Sequence, residues 1–232
     1  MEQINRFFVI ESCDGCGKTT LIHNLCKLFK DRDGFEPLCL KEPYEELEIG
    51  KYVRQWVDKT DFSENVYKVN EALLLFSSAR MELLEKVIVP ALIDPTKPPV
   101  ILCDRFIMST CVYQGVSPEW DTSFLLKGIV NTVAKFIKVD ATIHLNLSPK
   151  KIMERLGLRA KEGGVINPMD KKTAEWFSWV NKAYKFQLQE AGNPEEVIGR
   201  LYEVDAKKEP MKLAEEVYKK LKRDFKIREV RP

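Results

Sequence analysis

Short apolar runs alternate with helical periodicity along most of the chain. Compact apolar runs bounded by turn residues are typical of buried strands, whereas apolar residues spaced three or four positions apart indicate amphipathic helices. The pattern predicts strands at residues 7–10, 37–40, 100–103, 141–147 and 201–204. It predicts helices at residues 19–29, 64–92, 124–137, 176–189 and 210–225, and another that begins at Pro149 with Ser148 as its cap.

This alternation predicts an α/β fold, with a five-stranded parallel sheet that carries helices on both faces. Such sheets bind ligands at the carboxyl ends of their strands, so the chemistry is expected there. A length of 232 residues suits a single domain, residues 1–232, and the sequence has no internal repeat or low-complexity linker. Residues 161–164, Lys-Glu-Gly-Gly, interrupt a helical region and indicate a mobile loop rather than a domain boundary.

Composition limits the classes of function. Apolar residues make up 44% and charged residues 31% of the chain, which is typical of a globular protein. The net charge of +2 gives no global reason to expect nucleic acid or an acidic membrane as a partner, so phosphate must be bound by a local cluster of cations. No apolar run approaches the roughly 18 residues that cross a bilayer, and the polar start does not resemble a signal peptide.

Cysteine usage favours a cytoplasmic location. The chain has six cysteines, most of them in apolar stretches, and we interpret them as reduced thiols. Cys13 and Cys16 form a C-x-x-C pair, but the sequence offers neither a second pair nor a histidine cluster to complete a zinc site.

A phosphate-binding loop is predicted between the first strand and the first helix. Residues 12–20 read Ser-Cys-Asp-Gly-Cys-Gly-Lys-Thr-Thr, and in this context backbone N–H groups converge on a phosphate. Gly15 and Gly17 allow close approach of the backbone, Lys18 reaches the outer phosphates, and the Thr19 hydroxyl is suited to Mg²⁺. Ser12 stands where the full motif has glycine, which would cost about 1 kcal/mol if that position required a positive φ.

A second polar pair follows the third predicted strand. Asp104 and Arg105 come directly after it, at the carboxyl edge of the sheet. A carboxylate in this position can hold the water shell of a metal ion, and the planar guanidinium of arginine can bind phosphate with two parallel donors.

Several blocks of the sequence, in the same order, resemble the thymidylate kinase family. The phosphate loop is followed by Lys-Glu-Pro at 41–43 and by Leu-Phe-Ser-Ser-Ala-Arg at 75–80. Asp-Arg-Phe-Ile-Met-Ser at 104–109 and Val-Tyr-Gln-Gly at 112–115 match the family in spacing as well as residue type. Ser148-Pro149 with the following helix resembles the lid, and Asp205-Ala206 resembles the loop beside adenine.

The resemblance implies a P-loop kinase fold with a mobile lid at about residues 155–170, transfer of the γ-phosphate of ATP to dTMP, Mg²⁺ as cofactor, and a homodimer. The implied ATP-binding residues are Asp14, Gly15, Cys16, Gly17, Lys18, Thr19, Thr20, Arg155 and Ala206. The implied dTMP-binding residues are Asp14, Lys41, Phe76, Arg80, Arg105, Ser109, Tyr113 and Gln114. The implied catalytic residues are Lys18, Asp104, Arg105 and Arg159, and the implied Mg²⁺ ligands are Thr19 and Asp104.

By the same resemblance, Phe76 stacks on thymine, and Arg80 and Gln114 bind its polar edge. Tyr113 lies where a 2′-hydroxyl would be, and Asp14 binds the 3′-hydroxyl. The family carries a catalytic arginine in the phosphate loop or in the lid. Position 15 is glycine here, so the lid must supply it. We expect Arg159 to have this role, with Arg155 as the second candidate.

Other interpretations stay open at this level. On pattern alone Phe76 would be a core residue and Arg80 an exposed helical one. A deoxynucleoside kinase would share the fold and would use Glu11 or Glu42 as a base. Another (deoxy)nucleoside monophosphate kinase would take dUMP or a related acceptor, and Lys41 replaces the arginine of the family. A P-loop switch protein is less favoured, because the chain contains no Asn-Lys-x-Asp element for guanine.

Overall fold

The computed structural model describes residues 3–63, 65–115, 123–164, 168–190 and 194–228. Within these ranges the centre of the molecule is a five-stranded sheet in the order β2-β3-β1-β4-β5, and every neighbouring pair is parallel. The strands are β1 Arg6–Glu11, β2 Leu38–Lys41, β3 Val100–Asp104, β4 Ala141–Asn146 and β5 Arg200–Asp205. The predicted strands and the parallel α/β fold are therefore confirmed.

Both faces of the sheet are covered. Successive side chains of a strand point to opposite faces, so a strand buried at every position must have cover on each side. β3 is buried throughout, and β1 and β4 are each buried at all but one position. This is why the central strands appear in the sequence as continuous apolar runs rather than as an alternating pattern.

Helices surround the sheet. In the described ranges the α-helices are α1 Lys18–Asp33, α2 Glu48–Val57, α3 Val66–Leu83, α4 Val89–Ile93, α5 Ile107–Tyr113, α6 Ser123–Ala134, α7 Pro149–Lys161, α8 Ala174–Lys185, α9 Glu195–Ile198 and α10 Pro210–Asp224. Single π-helical turns at Leu84–Ile88 and Phe186–Glu190 extend α3 and α8, and a 3₁₀ turn covers Pro168–Lys171.

Most of the predicted helices are confirmed with small shifts at their ends. The predicted helix at 64–92 is one helical run from Val66 to Ile93, and it begins where the Asn65 side chain accepts from the Lys68 N–H at 3.0 Å. Its predicted first residue, Glu64, lies outside the described residues. Ser148 occupies the cap position of α7 with Pro149 next to it, as predicted, although its hydroxyl makes no capping hydrogen bond.

Three helices were missed. α9 is only four residues long, and α5 has seven residues of which Ile107 to Val112 are all buried, so neither shows an amphipathic period. α2 does have apolar residues at helical spacing, since Val53 and Val57 are both buried four positions apart. This spacing is a local signal from which α2 could be predicted.

The strand order brings the carboxyl ends of all five strands to one edge. β1 lies between β3 and β4, and the chain passes over it when it crosses from β3 to β4. The end of β1 is therefore the point at which the strand order reverses, where sheets of this kind bind ligands. The loop after β1, Lys41 at the end of β2 and Asp104 at the end of β3 meet at this point.

One hydrophobic core contains buried residues from all five strands and from α1, α5, α8 and α10. A second and smaller apolar cluster lies beside it and includes Phe62, Ala79 and Met169. No helix among the described residues is both long enough and apolar enough to span a membrane.

Gly199 connects α9 to β5, and substituting it tests how closely this connection is packed. Its backbone has φ 60° and ψ −151°, a region that is essentially restricted to glycine, and an added Cβ would lie 2.3 Å from the Val139 carbonyl oxygen. We predict that Gly199→Ala lowers the free energy of unfolding by about 2–4 kcal/mol. Urea denaturation of the two proteins measures this difference.

Gly157→Ala is the matched control. Gly157 lies within α7 with no atom within 4 Å of an added Cβ, so alanine should raise stability by about 0.5–1 kcal/mol through its higher helix propensity. Equal unfolding free energies for the two variants would show that Gly199 is not constrained as described.

Candidate active site

The phosphate loop joins β1 to α1 and has the backbone geometry that the motif predicts. Gly17 precedes α1 with φ 100°, a left-handed conformation that favours glycine. The Lys18 ammonium is buried and donates to the carbonyl oxygens of Ser12 and Cys13, each at 3.2 Å. Ser12 does not have a positive φ, so serine replaces the glycine of the motif without backbone strain.

A set of oxygen ligands lies beside this loop. The Thr19 hydroxyl donates to Asp104 Oδ2 at 3.1 Å. The other carboxylate oxygen, Asp104 Oδ1, is buried without a hydrogen-bond partner in the described part of the chain, and the Lys18 ammonium lies 3.9 Å from it. Hard oxygen donors of this kind fit Mg²⁺. The described residues contain no cluster of three or more metal-binding side chains, so a metal ion here would depend on oxygens from a bound phosphate as well.

A cavity of about 520 Å³ opens over the loop, and we call it the loop cavity. Arg155 of α7 lines it and joins two of its walls, because its guanidinium donates to Cys16 O at 3.0 Å and to Ala206 O at 2.8 Å. The predicted ATP-binding residues that line it are Asp14, Gly15, Cys16, Gly17, Lys18, Thr19, Thr20, Arg155 and Ala206. This is the whole predicted set.

A neighbouring cavity of about 420 Å³ is lined by aromatic and polar side chains, and we call it the aromatic cavity. Phe76 is half-buried on its wall, with the Phe62 ring edge-on at 6.3 Å between ring centroids. Phe76 is therefore accessible from the cavity rather than enclosed in the core. The predicted dTMP-binding residues that line it are Asp14, Lys41, Phe76, Arg80, Arg105, Ser109, Tyr113 and Gln114, again the whole predicted set.

Arg80 is held in the wall of the aromatic cavity by a buried ion pair. Its guanidinium donates from Nε to Glu42 Oε1 at 2.9 Å and from Nη2 to Glu42 Oε2 at 2.5 Å, and Nη2 also donates to the Thr110 hydroxyl at 2.9 Å. The third nitrogen, Nη1, is buried with no hydrogen-bond partner among the described residues. Arg80 is thus fixed in place with one nitrogen that makes no hydrogen bond to the described residues, and it is not an exposed helical residue.

Arg105 lies between the two cavities in a strained conformation. Its φ is 71°, the only positive value for a non-glycine residue in the described ranges. Nη2 donates to Asp14 Oδ1 at 2.7 Å, and Nη1 donates to Ser12 O at 3.0 Å and to the Ser109 hydroxyl at 3.1 Å. Burial opposes ionisation of Asp14, but the charges of Arg105 and Lys18 outweigh it and hold the pKa of that carboxyl well below its ordinary value.

Glu11, at the end of β1, supports the backbone that follows Arg105. Its Oε1 accepts from the N–H groups of Phe106 at 2.8 Å and Ser109 at 3.2 Å. Its Oε2 accepts from the Ser109 hydroxyl at 2.6 Å and from the Tyr184 hydroxyl at 3.2 Å. Burial raises the pKa of Glu11. This network keeps the strained turn at Arg105 closed. The sequence analysis named Glu11 only as a candidate base of a deoxynucleoside kinase, and it did not identify Tyr184.

The two cavities meet at a small group of charged residues. Asp14, Lys41, Arg105 and Arg159 line both of them. Arg159 projects from α7 and is paired with the buried carboxylate of Asp170 at 2.5 Å. Three cations and one carboxylate therefore lie where a ligand in one cavity would reach a ligand in the other.

Arg54 is a further site residue that the sequence analysis missed. It projects from α2 into the wall of the aromatic cavity, where its guanidinium Nε lies 3.3 Å from Glu45 Oε1. It was missed because α2 itself was not predicted, although the spacing of Val53 and Val57 would have placed Arg54 on the same helix.

Comparison with known proteins agrees with this geometry. The sequence model of the family described as thymidylate kinase matches residues 10–217. The chain is 32% identical over 210 residues to a thymidylate kinase of Prosthecochloris aestuarii, which covers 88% of this chain and 87% of that protein. It is 35% identical over 156 residues to a thymidylate kinase of Thermoanaerobacter sp., covering 66% and 71%. It is 31% identical over 166 residues to a probable thymidylate kinase of Pyrococcus horikoshii, covering 71% and 74%.

The family match covers most of the sheet as well as both cavities, from Ile10 in β1 to Val217 in α10. The predicted resemblance is thereby confirmed, while the roles of the individual residues stay predictions. The chain belongs to the thymidylate kinase family.

Proposed function

We propose that this chain is an enzyme that transfers the γ-phosphate of ATP to dTMP and releases dTDP and ADP. The observation that carries the proposal is the meeting of the loop cavity and the aromatic cavity at Asp14, Lys41, Arg105 and Arg159. Phosphoryl transfer needs two phosphorylated molecules aligned tail to tail and positive charge where they meet, and little covalent help from the protein. The names of the relatives agree with this reaction.

ATP would lie in the loop cavity with its outer phosphates in the phosphate loop. Lys18 is already buried among the loop carbonyls and would exchange those contacts for phosphate oxygens. Thr19 and Asp104 would hold Mg²⁺, which when bound neutralises charge on the β- and γ-phosphates. Arg155 and Ala206 would lie beside the adenine, since their mutual hydrogen bond forms a wall of the same cavity.

dTMP would lie in the aromatic cavity with thymine against Phe76, and stacking of a base on an aromatic ring contributes about 1–3 kcal/mol. Arg80 Nη1 and Gln114 would bind the polar edge of the base. Tyr113, whose buried hydroxyl has no hydrogen-bond partner in the described residues, would fill the space of a 2′-hydroxyl. Asp14 and Ser109 would contact the sugar and phosphate end.

Four cations would act on the phosphates themselves. Arg105 and Lys41 would orient the dTMP phosphate as the attacking group, and we add Arg54 to this set because it lines the same cavity. Arg159 would leave Asp170 and move onto the transferring phosphoryl group. Arg159 is favoured over Arg155 for this role, because it reaches both cavities while Arg155 is engaged by two backbone carbonyls. Closure of the lid would exclude water and so limit hydrolysis of ATP.

The deoxynucleoside kinase alternative loses its proposed base. Glu42 is bound on both oxygens by Arg80, and Glu11 is fully buried with both oxygens accepting hydrogen bonds. These contacts disfavour either carboxylate as the base that takes a proton from a nucleoside hydroxyl. The excess of cations at the junction of the cavities instead suits an acceptor that already carries a phosphate.

The identity of the phosphate acceptor is tested by measuring steady-state turnover with ATP and Mg²⁺. The candidate acceptors are thymidine, dTMP, dUMP, UMP and dCMP. We predict kcat/KM highest for dTMP and at least about 100-fold lower for thymidine, since the nucleoside lacks the phosphate that Arg105 and Lys41 bind. UMP should be a poorer acceptor than dUMP because of Tyr113. Turnover of thymidine at a rate equal to that of dTMP would contradict the proposal.

Arg159→Ala tests whether the arginine of the lid acts on the transferring phosphoryl group. We predict that kcat falls by about 100-fold or more while the KM for dTMP changes only a few-fold, because the arginine acts mainly on charge that develops during transfer. Lys161→Ala is the matched control: Lys161 is exposed in the last turn of the same helix and lines neither cavity. A kcat for Arg159→Ala within a few-fold of Lys161→Ala would remove Arg159 from the mechanism.

We further propose a homodimer, as the resemblance implies, in the cytoplasm, as the cysteine usage favours. The surface between α3 and α6 supports the dimer, because it leaves Leu74 53% and Phe136 54% exposed, with Met81 and Leu125 also exposed beside them. Large apolar side chains grouped on one surface are typical of an interface. A second copy of the chain that docked through its own α3–α6 surface would cover these apolar side chains.

Leu74→Glu tests this interface. A charge in an apolar contact is costly, so sedimentation velocity at micromolar concentration should show a dimer for the parent and a monomer for the variant. Leu158→Glu is the matched control, because Leu158 is 57% exposed on α7 and does not line this surface. A monomeric parent, or a dimer that survives Leu74→Glu, would contradict the proposed contact.

A further inference from the structure

Two cysteines outside the active site lie in contact with each other. Cys26 is on α1 and Cys39 on β2, and their sulfurs are 2.6 Å apart. Cys26 is half-buried and Cys39 is exposed, and both are free thiols in the structure. Neither residue lines the loop cavity or the aromatic cavity.

The other four cysteines differ from this pair in accessibility. Cys13 and Cys16 have their sulfurs 3.7 Å apart, but each side chain is only 1% exposed. Cys103 and Cys111 are fully buried, and burial raises the pKa of each thiol. Thiol oxidation needs thiolate character and access for the oxidant, so these four are shielded where Cys39 is open.

Both sulfurs are carried by regular elements that hold them in place. Cys26 lies in the middle of α1, which packs against β1, β3 and α10. Cys39 lies on β2, the edge strand of the sheet, which is paired along its length with β3. A bond between the two sulfurs would therefore need little displacement of the backbone, since the elements already present them to each other.

We propose that Cys26 and Cys39 form a reversible disulfide when the protein meets a small-molecule disulfide such as oxidised glutathione. The Cys26 sulfur, as thiolate, attacks one sulfur of the oxidant and releases one glutathione thiolate. Cys39 then gives up its proton, attacks the Cys26 sulfur of the mixed disulfide and releases the second. Two protein thiols lose two protons and two electrons in total, and the oxidant becomes two molecules of reduced glutathione.

The contact between the two sulfurs sets this order. The contact with Cys39 lowers the pKa of Cys26, which favours its thiolate as the attacking group in the first step. The same contact raises the pKa of Cys39. That effect ends once the Cys26 sulfur is part of the mixed disulfide, so Cys39 attacks in the second step.

The crosslink would tie the edge strand to the first helix. It closes a short loop, since the two cysteines are 13 positions apart, and a loop of this size is expected to raise the thermal unfolding midpoint by about 5 °C or more. The inference does not depend on the proposed function, because it concerns residues that neither cavity contains.

The test is to incubate the full chain with oxidised glutathione, block the remaining thiols with iodoacetamide, and map tryptic peptides by mass spectrometry without reduction. The proposal predicts that the peptide of residues 19–27 is joined to that of residues 33–41, and that dithiothreitol separates them. Cys13 and Cys16 share the peptide of residues 7–18, so their pairing has a different signature. The thermal midpoint of the oxidised protein should rise by about 5 °C or more.

Cys26→Ser and Cys39→Ser are the controls. Both should keep the parent activity, and neither should form the crosslinked peptide or show the rise in thermal midpoint after oxidation. Alkylation of both peptides in the oxidised parent, or glutathione that stays attached to either cysteine without a bond between Cys26 and Cys39, would overturn the proposal. Because the peptide map is decisive on the parent alone, the test holds even if a serine variant folds poorly.

Discussion

The repulsion between two phosphate groups is the constraint on which this site depends. Unit charges 4 Å apart repel by about 4 kcal/mol in surroundings of intermediate polarity, and each phosphate carries more than one charge. Three positively charged side chains offset this repulsion where the two cavities meet: Lys41, Arg105 and Arg159. Arg105 is central among them, because Asp14, Ser109 and the carbonyl of Ser12 hold its guanidinium in one orientation.

The fold provides this arrangement through a few buried groups rather than through the cavity surface alone. The left-handed turn at Arg105 directs its side chain between the cavities, and the buried carboxylate of Glu11 accepts hydrogen bonds from the backbone just after that turn. Tyr184 of α8 joins the same carboxylate to the Ser109 hydroxyl. The strain at Arg105 is thus offset by hydrogen bonds that come from a strand and from a distant helix.

The sequence predicted what depends on local pattern. The strands, the phosphate loop and the site residues within contiguous blocks were identified because apolar runs, turn residues and motif spacing are local signals. Single residues that join the site from a distance were not: Tyr184 lies 75 positions from Ser109, and Arg54 belongs to a helix that was not predicted. The contact of Cys26 with Cys39 depends on how α1 lies against the edge strand, which no local pattern specifies.

The central claim is that one continuous space holds ATP and dTMP with their phosphates between the same cations. A crystal structure with a bisubstrate inhibitor, in which adenosine and thymidine are joined through a chain of phosphates, tests it most directly. The account predicts thymine against Phe76, adenine beside Arg155, and Arg105 within hydrogen-bond distance of the phosphate chain. Thymidine bound outside the aromatic cavity, with Arg105 still bound to Asp14 and touching no phosphate oxygen, would contradict it.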